Sequence, residues 1–249
     1  MESEEKLLQK RFLELSARAD AQNRYTYTPF LTLAEQSLLH QLSHRLQAPF
    51  VLLGGYPGAE RRVACFGREE EIGAPPAPPF VCLKAAPVQE KFASALTHRD
   101  FLGAMMALGL KRETLGDLLI EGKSCYVFCL DEVAEVLCRE LKQAGRTNLN
   151  TLPALPPQSA VEPPEETSLT VASERLDAMI SAVWRLSRRE SAELFEQQLV
   201  FVNGRQILSP SASPDPGEII SVRGRGRFRY EGIERETKKG RIRITVRIY

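Results

Sequence analysis

The sequence predicts an α+β chain: two small α/β layers followed by a C-terminal helix–helix–hairpin unit with a basic β extension. Three observations carry this. Segments with apolar residues at helical spacing alternate with short β-rich runs. Proline-rich stretches interrupt the chain at Gly73 to Pro79 and Pro153 to Pro164. With 249 residues, 43% hydrophobic and 26% charged, the chain has a globular composition and the length of two or three small domains. The expected division is 1–79 for an N-terminal α/β domain and 80–152 for a middle α+β domain. A Pro-rich linker over 153–167 and a C-terminal module over 168–249 complete it.

Taken in order, Leu7, Leu8, Phe12 and Leu15 fall at helical spacing and predict a helix from Glu4 to Ala19. Thr32 to Leu46 is a second helix, with Thr32 as N-cap and Glu35 three residues later completing a capping box. Phe50 to Leu53 and Arg62 to Phe66 are strands around Gly54-Gly55-Tyr56-Pro57-Gly58. That turn lacks the Gly-Lys-Ser/Thr end of a phosphate loop, so it is read as a hairpin. In the middle domain Phe80 to Ala85 is a strand and His98 to Leu108 a helix. Asp117 to Glu121 and Cys125 to Leu130 form a hairpin, and Asp131 to Gln143 a helix with Asp131 at its N-cap. This order is partly that of an RNA-recognition motif, but no aromatic run supplies a base-stacking platform.

After the linker, Ser168 to Ala172 is a strand. Ser173 caps a helix beginning Glu174-Arg175-Leu176-Asp177, and Ser187 with Glu190 forms the capping box of another running to about Gln197. Val200-Phe201-Val202-Asn203-Gly204 is a strand entering a type I′ turn, and Gly217 to Val222 leads into the next strand. If extended, the tail puts Arg223, Arg225, Arg227 and Arg229 on one side. Arg241, Arg243 and Arg247 alternate with Ile242, Ile244, Val246 and Ile248, giving a strand with one basic face. Arginine forks pair bidentately with phosphate, so two such rows suit a nucleic-acid backbone.

Charge points the same way. Residues 175–249 hold 15 basic and 9 acidic side chains, a net of +6, while the other 174 hold 18 against 23, a net of −5. The whole-chain value of +1 hides this asymmetry, which implies an anionic partner at one end. Other chemistries find little support. No apolar run approaches the ~18–20 residues of a membrane span, and the charged start is unlike a secretory signal. The five cysteines lack a CxxC pair, which fits reduced thiols in a cytoplasm rather than a zinc site. His40 and His44 enclose Gln-Leu-Ser, not the metalloprotease pattern, and three histidines assemble no catalytic triad. No metal or cofactor is expected.

The order Arg-Leu-Asp (Arg175 to Asp177), Ser-Arg (Ser187-Arg188), Val-x-Val-Asn-Gly (200–204) and Gly-Glu-Ile-Ile-x-Val (217–222) resembles the small RNA-binding module named after ribosomal small-subunit protein four. The resemblance implies RNA contacts at Arg175, Arg188, Arg189 and Arg205, extended by the arginine rows of the tail. The family's Lys-x-Gly before the Val-x-Val strand is replaced by Glu196-Gln197-Gln198. Further upstream, His98-Arg99-Asp100-Phe101-Leu102-Gly103-Ala104, then Leu108-Gly109-Leu110-Lys111-Arg112 and Gly116-Asp117-Leu118-Leu119, resemble the YlmH family of bacterial RNA-binding proteins over nearly the whole chain. That resemblance implies a cytoplasmic, non-catalytic protein, a monomer when free. It would bind rRNA of the large ribosomal subunit and peptidyl-tRNA in quality control of stalled subunits. Arg99, Lys111 and Arg112 would form a second surface, or these residues and Asp100 would serve capping and fold specification, Asp100 capping a helix from Phe101. The alternatives are a pseudouridine-synthase-type enzyme, which shares Arg-Leu-Asp, and a ribosome assembly or adaptor protein. The 72 residues after Asp177 are too few for an appended catalytic domain.

Overall fold

Helix α1 (Glu2–Gln22) lays Phe12, Leu15 and Ala19 against Leu31, Leu38, Leu39, Ala64 and Phe66. These come from strand β1 (Thr26–Leu31), helix α2 (Leu33–Gln41) and strand β3 (Arg62–Phe66), which with β2 (Phe50–Leu53) forms an antiparallel sheet of order β1-β3-β2. The expected β2–β3 hairpin is present. Strand β1 was not expected, because Pro29 disguises it. The proline sits where the β1–β3 register shifts between Tyr27 and Phe30, a place where a missing ladder donor is tolerated. The Thr32–Glu35 capping box forms, with the Thr32 amide donating to Glu35 at 2.6 Å. Helix α2 stops at Gln41, and a 3₁₀ turn over Ser43–Arg45 replaces its expected end. The computed structural model describes residues 2–158, 164–237 and 240–249.

The short helix α3 (Glu69–Ile72) and the proline-rich stretch lead to β4 (Phe80–Pro87). There follow α4 (His98–Ala107), β5 (Leu115–Glu121), β6 (Ser124–Leu130), α5 (Asp131–Glu140), β7 (Gln143–Ala144) and β8 (Thr147–Pro153). The sheet order β5-β6-β4-β8-β7 places β4 and β6 centrally. With β8 included, the element order is the β-α-β-β-α-β of ferredoxin-like folds. Helix α4 begins at His98 as expected, and Asp100 is the third residue of its capping box with Thr97 rather than the cap of a helix from Phe101. Two boundaries differ from expectation. The N-cap position of α5 is Leu130 rather than Asp131, and the helix ends at Glu140. β8 extends to Pro153, into the expected linker, because Thr147, Leu149 and Thr151 alternate inward.

One face of this sheet packs Leu83, Ala85, Cys125, Val127 and Cys129 on Phe101, Met105, Val133 and Leu137 of the two helices. The other face packs Phe80, Cys82, Tyr126 and Phe128 on Phe30 and Val63 of the first sheet. The Phe30 and Phe80 rings lie 5.1 Å apart, and Tyr56 stacks on Phe128 at 5.4 Å. Residues 1–162 thus form one compact unit, and residues 163–249 form a second.

In the second unit β9 (Glu166–Val171) is followed by α6 (Leu176–Trp184), α7 (Arg188–Glu196), β10 (Val200–Val202), β11 (Arg205–Gln206), β12 (Ile219–Val222), β13 (Gly226–Glu236) and β14 (Ile242–Ile248). The antiparallel order is β11-β10-β12-β13-β14-β9. Both helices pack on one face, where Leu176, Met179, Ile180, Leu194 and Phe195 meet Val200, Ile220, Val222, Phe228, Tyr230, Ile244 and Val246. Burying each of these large side chains stabilises the fold by roughly 1.5–3 kcal/mol. Asn203 and Gly204, both at positive φ, make the β10–β11 turn. The Ser187–Glu190 box caps α7. The N-cap of α6 is Arg175 rather than Ser173. β9 begins two residues inside the expected linker, of which residues 159–163 lie outside the described ones.

Candidate nucleic-acid interface

Helices α6 and α7 start close together, because the Ser191 hydroxyl of α7 donates to the Asp177 carbonyl of α6 at 2.9 Å. Their first turns border a cleft of about 500 Å³ lined by Thr170, Ser173, Arg175, Ser181, Arg188 and Arg241, among others. Three of the predicted arginines therefore converge from an α6 cap, an α7 first turn and the approach to β14. All three are exposed. Arg175 is held by Asp177 in a bidentate pair at 2.7 and 3.0 Å, which fixes its guanidinium over the start of α6 and raises its pKa. The Ser181 hydroxyl, buried on the cleft wall, has no hydrogen-bond partner among the described residues. Guanidinium groups around a cleft form a site for anionic oxygens.

The neighbouring arginines extend this basic surface. Arg189 is 89% exposed beside Arg188 and pairs with Glu193 at 2.9 Å. An exposed pair of this kind is worth ~0.3–0.5 kcal/mol, so the guanidinium exchanges readily for a phosphate partner. Arg225 lies near the start of α7, where its charge joins the Ser187 hydrogen bonds in holding Glu190 below the usual carboxylate range. Arg205 follows the β10–β11 turn and is half-buried.

The tail differs from the two extended rows expected of it. Arg223 and Arg225 belong to a turn containing Gly224 at φ +80°, so only Arg227 and Arg229 share a face of β13. Arg229 and Arg247 are cross-strand neighbours that both grip Glu231, at 2.7 and 2.9 Å. Arg247 is 20% exposed and also bonds Glu166 and the Pro164 carbonyl. Arg243 pairs with Glu234 at 2.9 Å. These three arginines are engaged with carboxylates across β9, β13 and β14. Their positions were legible in the strand alternation, but Glu166, Glu231 and Glu234 arrive only through the sheet register.

The second predicted surface divides. Arg99 and Lys111 are exposed. Arg112 turns inward and donates to the carbonyls of Leu115 and Gly116, and burial beside Arg61 pushes its pKa down to about 10. Next to it Arg61 donates to Leu115 at 3.0 Å and to Phe30 at 2.9 Å. Asp117 accepts from the Tyr56 hydroxyl at 2.8 Å and from the amides of Glu60 and Arg61 at 2.7 and 3.1 Å. Burial pushes its carboxyl above the ordinary value, against the pull of these donors. The cluster fastens the two sheets of the first unit together. Its signal in the sequence was a lone aspartate inside an apolar strand.

The aromatic residues of the middle sheet are equally committed. Phe128 is 2% exposed beneath Tyr56, so its ring has no room for a base. Among the described residues, no group of histidine, cysteine or acidic side chains could hold a metal ion. No helix among them is long and apolar enough to cross a membrane.

Exposed guanidinium groups around a cleft, on a helix pair backed by an antiparallel sheet, are an arrangement suited to a polyanionic partner. Residues 82–154 match the family model described as "Putative RNA-binding domain in YlmH". A Bacillus subtilis protein named ribosome-associated protein quality control protein P2 is 32% identical over 238 residues, 94% of this chain and 91% of that protein. The chain belongs to the YlmH family of RNA-binding proteins. A solved structure titled cell division protein ylmH from Streptococcus pneumoniae has a similar fold, with a TM-score of 0.50 at 18% identity. The likeness covers 61% of this chain and 91% of that one. The matched segment 82–154 contains His98 to Leu119, the stretch that carried the resemblance in the sequence.

Proposed function

We propose that this protein binds structured RNA without catalysing a reaction, using the cleft that α6 and the start of α7 border with the end of β9 and Arg241 as its principal contact. The observation that carries this reading is the convergence of Arg175, Arg188 and Arg241 on one cleft, with Arg189 and Arg225 on adjoining surface. The name of the Bacillus subtilis relative supports the ribosome as the setting. In this reading the RNA is rRNA of the large ribosomal subunit together with peptidyl-tRNA, and the task is rescue or quality control of stalled subunits. The first unit contributes Arg99 and Lys111 as a subsidiary surface. The C-terminal unit acts as the module named after ribosomal small-subunit protein four. Asp177, the residue an enzyme of the pseudouridine-synthase type would need, is occupied in positioning Arg175.

Sedimentation of the tagged full chain with purified ribosomal subunits across a salt series tests the reading. Association with the large subunit at low salt, weakening steeply as salt rises, is the expected result. Protein that stays at the top of the gradient at low salt contradicts it. A uridine modification that disappears in Asp177→Asn would establish an enzyme instead.

A further inference from the structure

The six-stranded sheet of the second unit has its helices on one face only, and the other face carries aromatic side chains in register. Phe201 of β10 pairs with Ser221 of β12, and Ser221 pairs with Arg227 of β13. Tyr249, just beyond β14, continues the row, because its amide donates to the Arg227 carbonyl at 3.1 Å. Burial alternates along each strand. Val200 and Val202, Ile220 and Val222, and Phe228 point to the helices, while Phe201, Ser221 and Arg227 point away. Neighbouring strands lie ~4.8 Å apart, which places the two rings about three strand spacings from one another with Ser221 and Arg227 between them.

Each ring carries an arginine on its face. The Arg223 guanidinium lies 4.6 Å from the centre of Phe201, and that of Arg227 lies 4.9 Å from the centre of Tyr249. Tyr249 is 36% exposed and Phe201 half-buried. An aromatic ring on the sheet surface with a guanidinium stacked on it suits unpaired nucleotides: the arginine can turn to a connecting phosphate and leave the π-face to a base. The charge beside the rings, Arg223 on the turn and Arg227 on β13, is complementary to such a strand.

We infer that this sheet face is a second RNA site, taking unpaired nucleotides that stack on Phe201 and Tyr249, while the cleft on the helix side takes structured RNA. The inference rests on the RNA-binding reading above, and the test separates the two. Duplex RNA belongs to the cleft and single-stranded RNA to the sheet, so one chain holds both a helix and an adjoining single-stranded segment. The middle sheet offers no equivalent, since its aromatic face is closed by Phe30 and Val63.

Fluorescence anisotropy of the full chain with a labelled 12-nucleotide oligouridine and with a labelled RNA hairpin provides the experiment. Tyr249→Leu and Phe201→Leu keep an apolar side chain and remove the ring. Each is expected to weaken oligouridine binding by at least about fivefold, as loss of a base-stacking ring does, and to leave hairpin binding within about twofold. Tyr249→Phe retains wild-type binding. Tyr249 lies outside the hydrophobic core, so its variants report even if Phe201→Leu unfolds, which circular dichroism would reveal. Wild-type affinity for oligouridine in Tyr249→Leu, or no oligouridine binding by the wild type, overturns the sheet site. If hairpin binding persists, the cleft reading stands. Absence of binding to both RNAs defeats the RNA reading itself.

Discussion

Arg61 and Arg112 in the first unit, and Arg175 and Arg188 in the second, show what surroundings do to one side chain. The first two donate to the carbonyls of Phe30, Leu115 and Gly116 beside a largely buried Asp117. Taking them out of water makes them costly to disturb. Arg175 and Arg188 sit on helix starts at the rim of a cleft, where solvent screens their charge and an incoming phosphate can replace water. In the first unit Arg61 and Arg112 specify how two sheets meet, and in the second Arg175 and Arg188 stay at a cleft rim, where the proposed RNA would meet them. Charge content alone does not separate the roles. Burial and the identity of the acceptors do.

The largest effect expected from breaking this contrast is in the first unit. Asp117→Ala removes the acceptor of the Tyr56 hydroxyl and two amides, leaving three donors without it, and takes a carboxylate from beside the half-buried Arg61 and Arg112. It should cost about 3–5 kcal/mol, read as an early transition in urea unfolding, with little direct effect on RNA contacts at the cleft. Arg188→Glu with Arg189→Glu should do the reverse. Association with RNA falls by on the order of 100-fold and the slope of log K against log salt drops by about 2, while the melting temperature barely moves.

Gly55→Ala is expected to fall between. Gly55 has φ +86°, and an added Cβ would lie 2.4 Å from the Phe128 ring. The expected loss is about 2–3 kcal/mol from strain and overpacking, measurable by thermal unfolding. The cysteines sharpen the picture of the buried unit. Burial pushes Cys65 and Cys82 up to about 11 and Cys125 and Cys129 up to about 12, whereas Cys138 is only half-buried. Alkylation at mildly basic pH, followed by mass spectrometry, should therefore label Cys138 first and the others only on unfolding. The smallest effect belongs to Glu193→Ala, which frees Arg189 from an exposed pair and should change stability by under ~0.5 kcal/mol.

Much of this contrast is legible in the amino-acid sequence. The Thr32–Glu35 and Ser187–Glu190 boxes and the Asn203-Gly204 turn are local chemistry and stand where local rules put them. So does the segregation of charge, which is a count. What escaped depends on distant partners. β1 was hidden by a proline that only the offset register accommodates. The tail arginines looked like two bare rows, because nothing local announces that Glu231 will sit between Arg229 and Arg247. Arg112 looked like surface, and only the fold brings Arg61 and the Asp117 carboxylate to its side. At the candidate site, the helix starts with Arg175 and Arg188 were visible, but the convergence of Arg241 on the same cleft required the sheet to be built.

The division of labour between the two units is tested most directly by ultraviolet crosslinking of the full chain to large ribosomal subunits, with the crosslinked peptides mapped by mass spectrometry. The account predicts that the dominant crosslinks fall within residues 163–249, on peptides carrying Arg175, Arg188 and the turn from Arg223 to Arg227, and that they vanish in the Arg188→Glu, Arg189→Glu variant. Crosslinks confined to residues 1–162, unchanged by that variant, would contradict it.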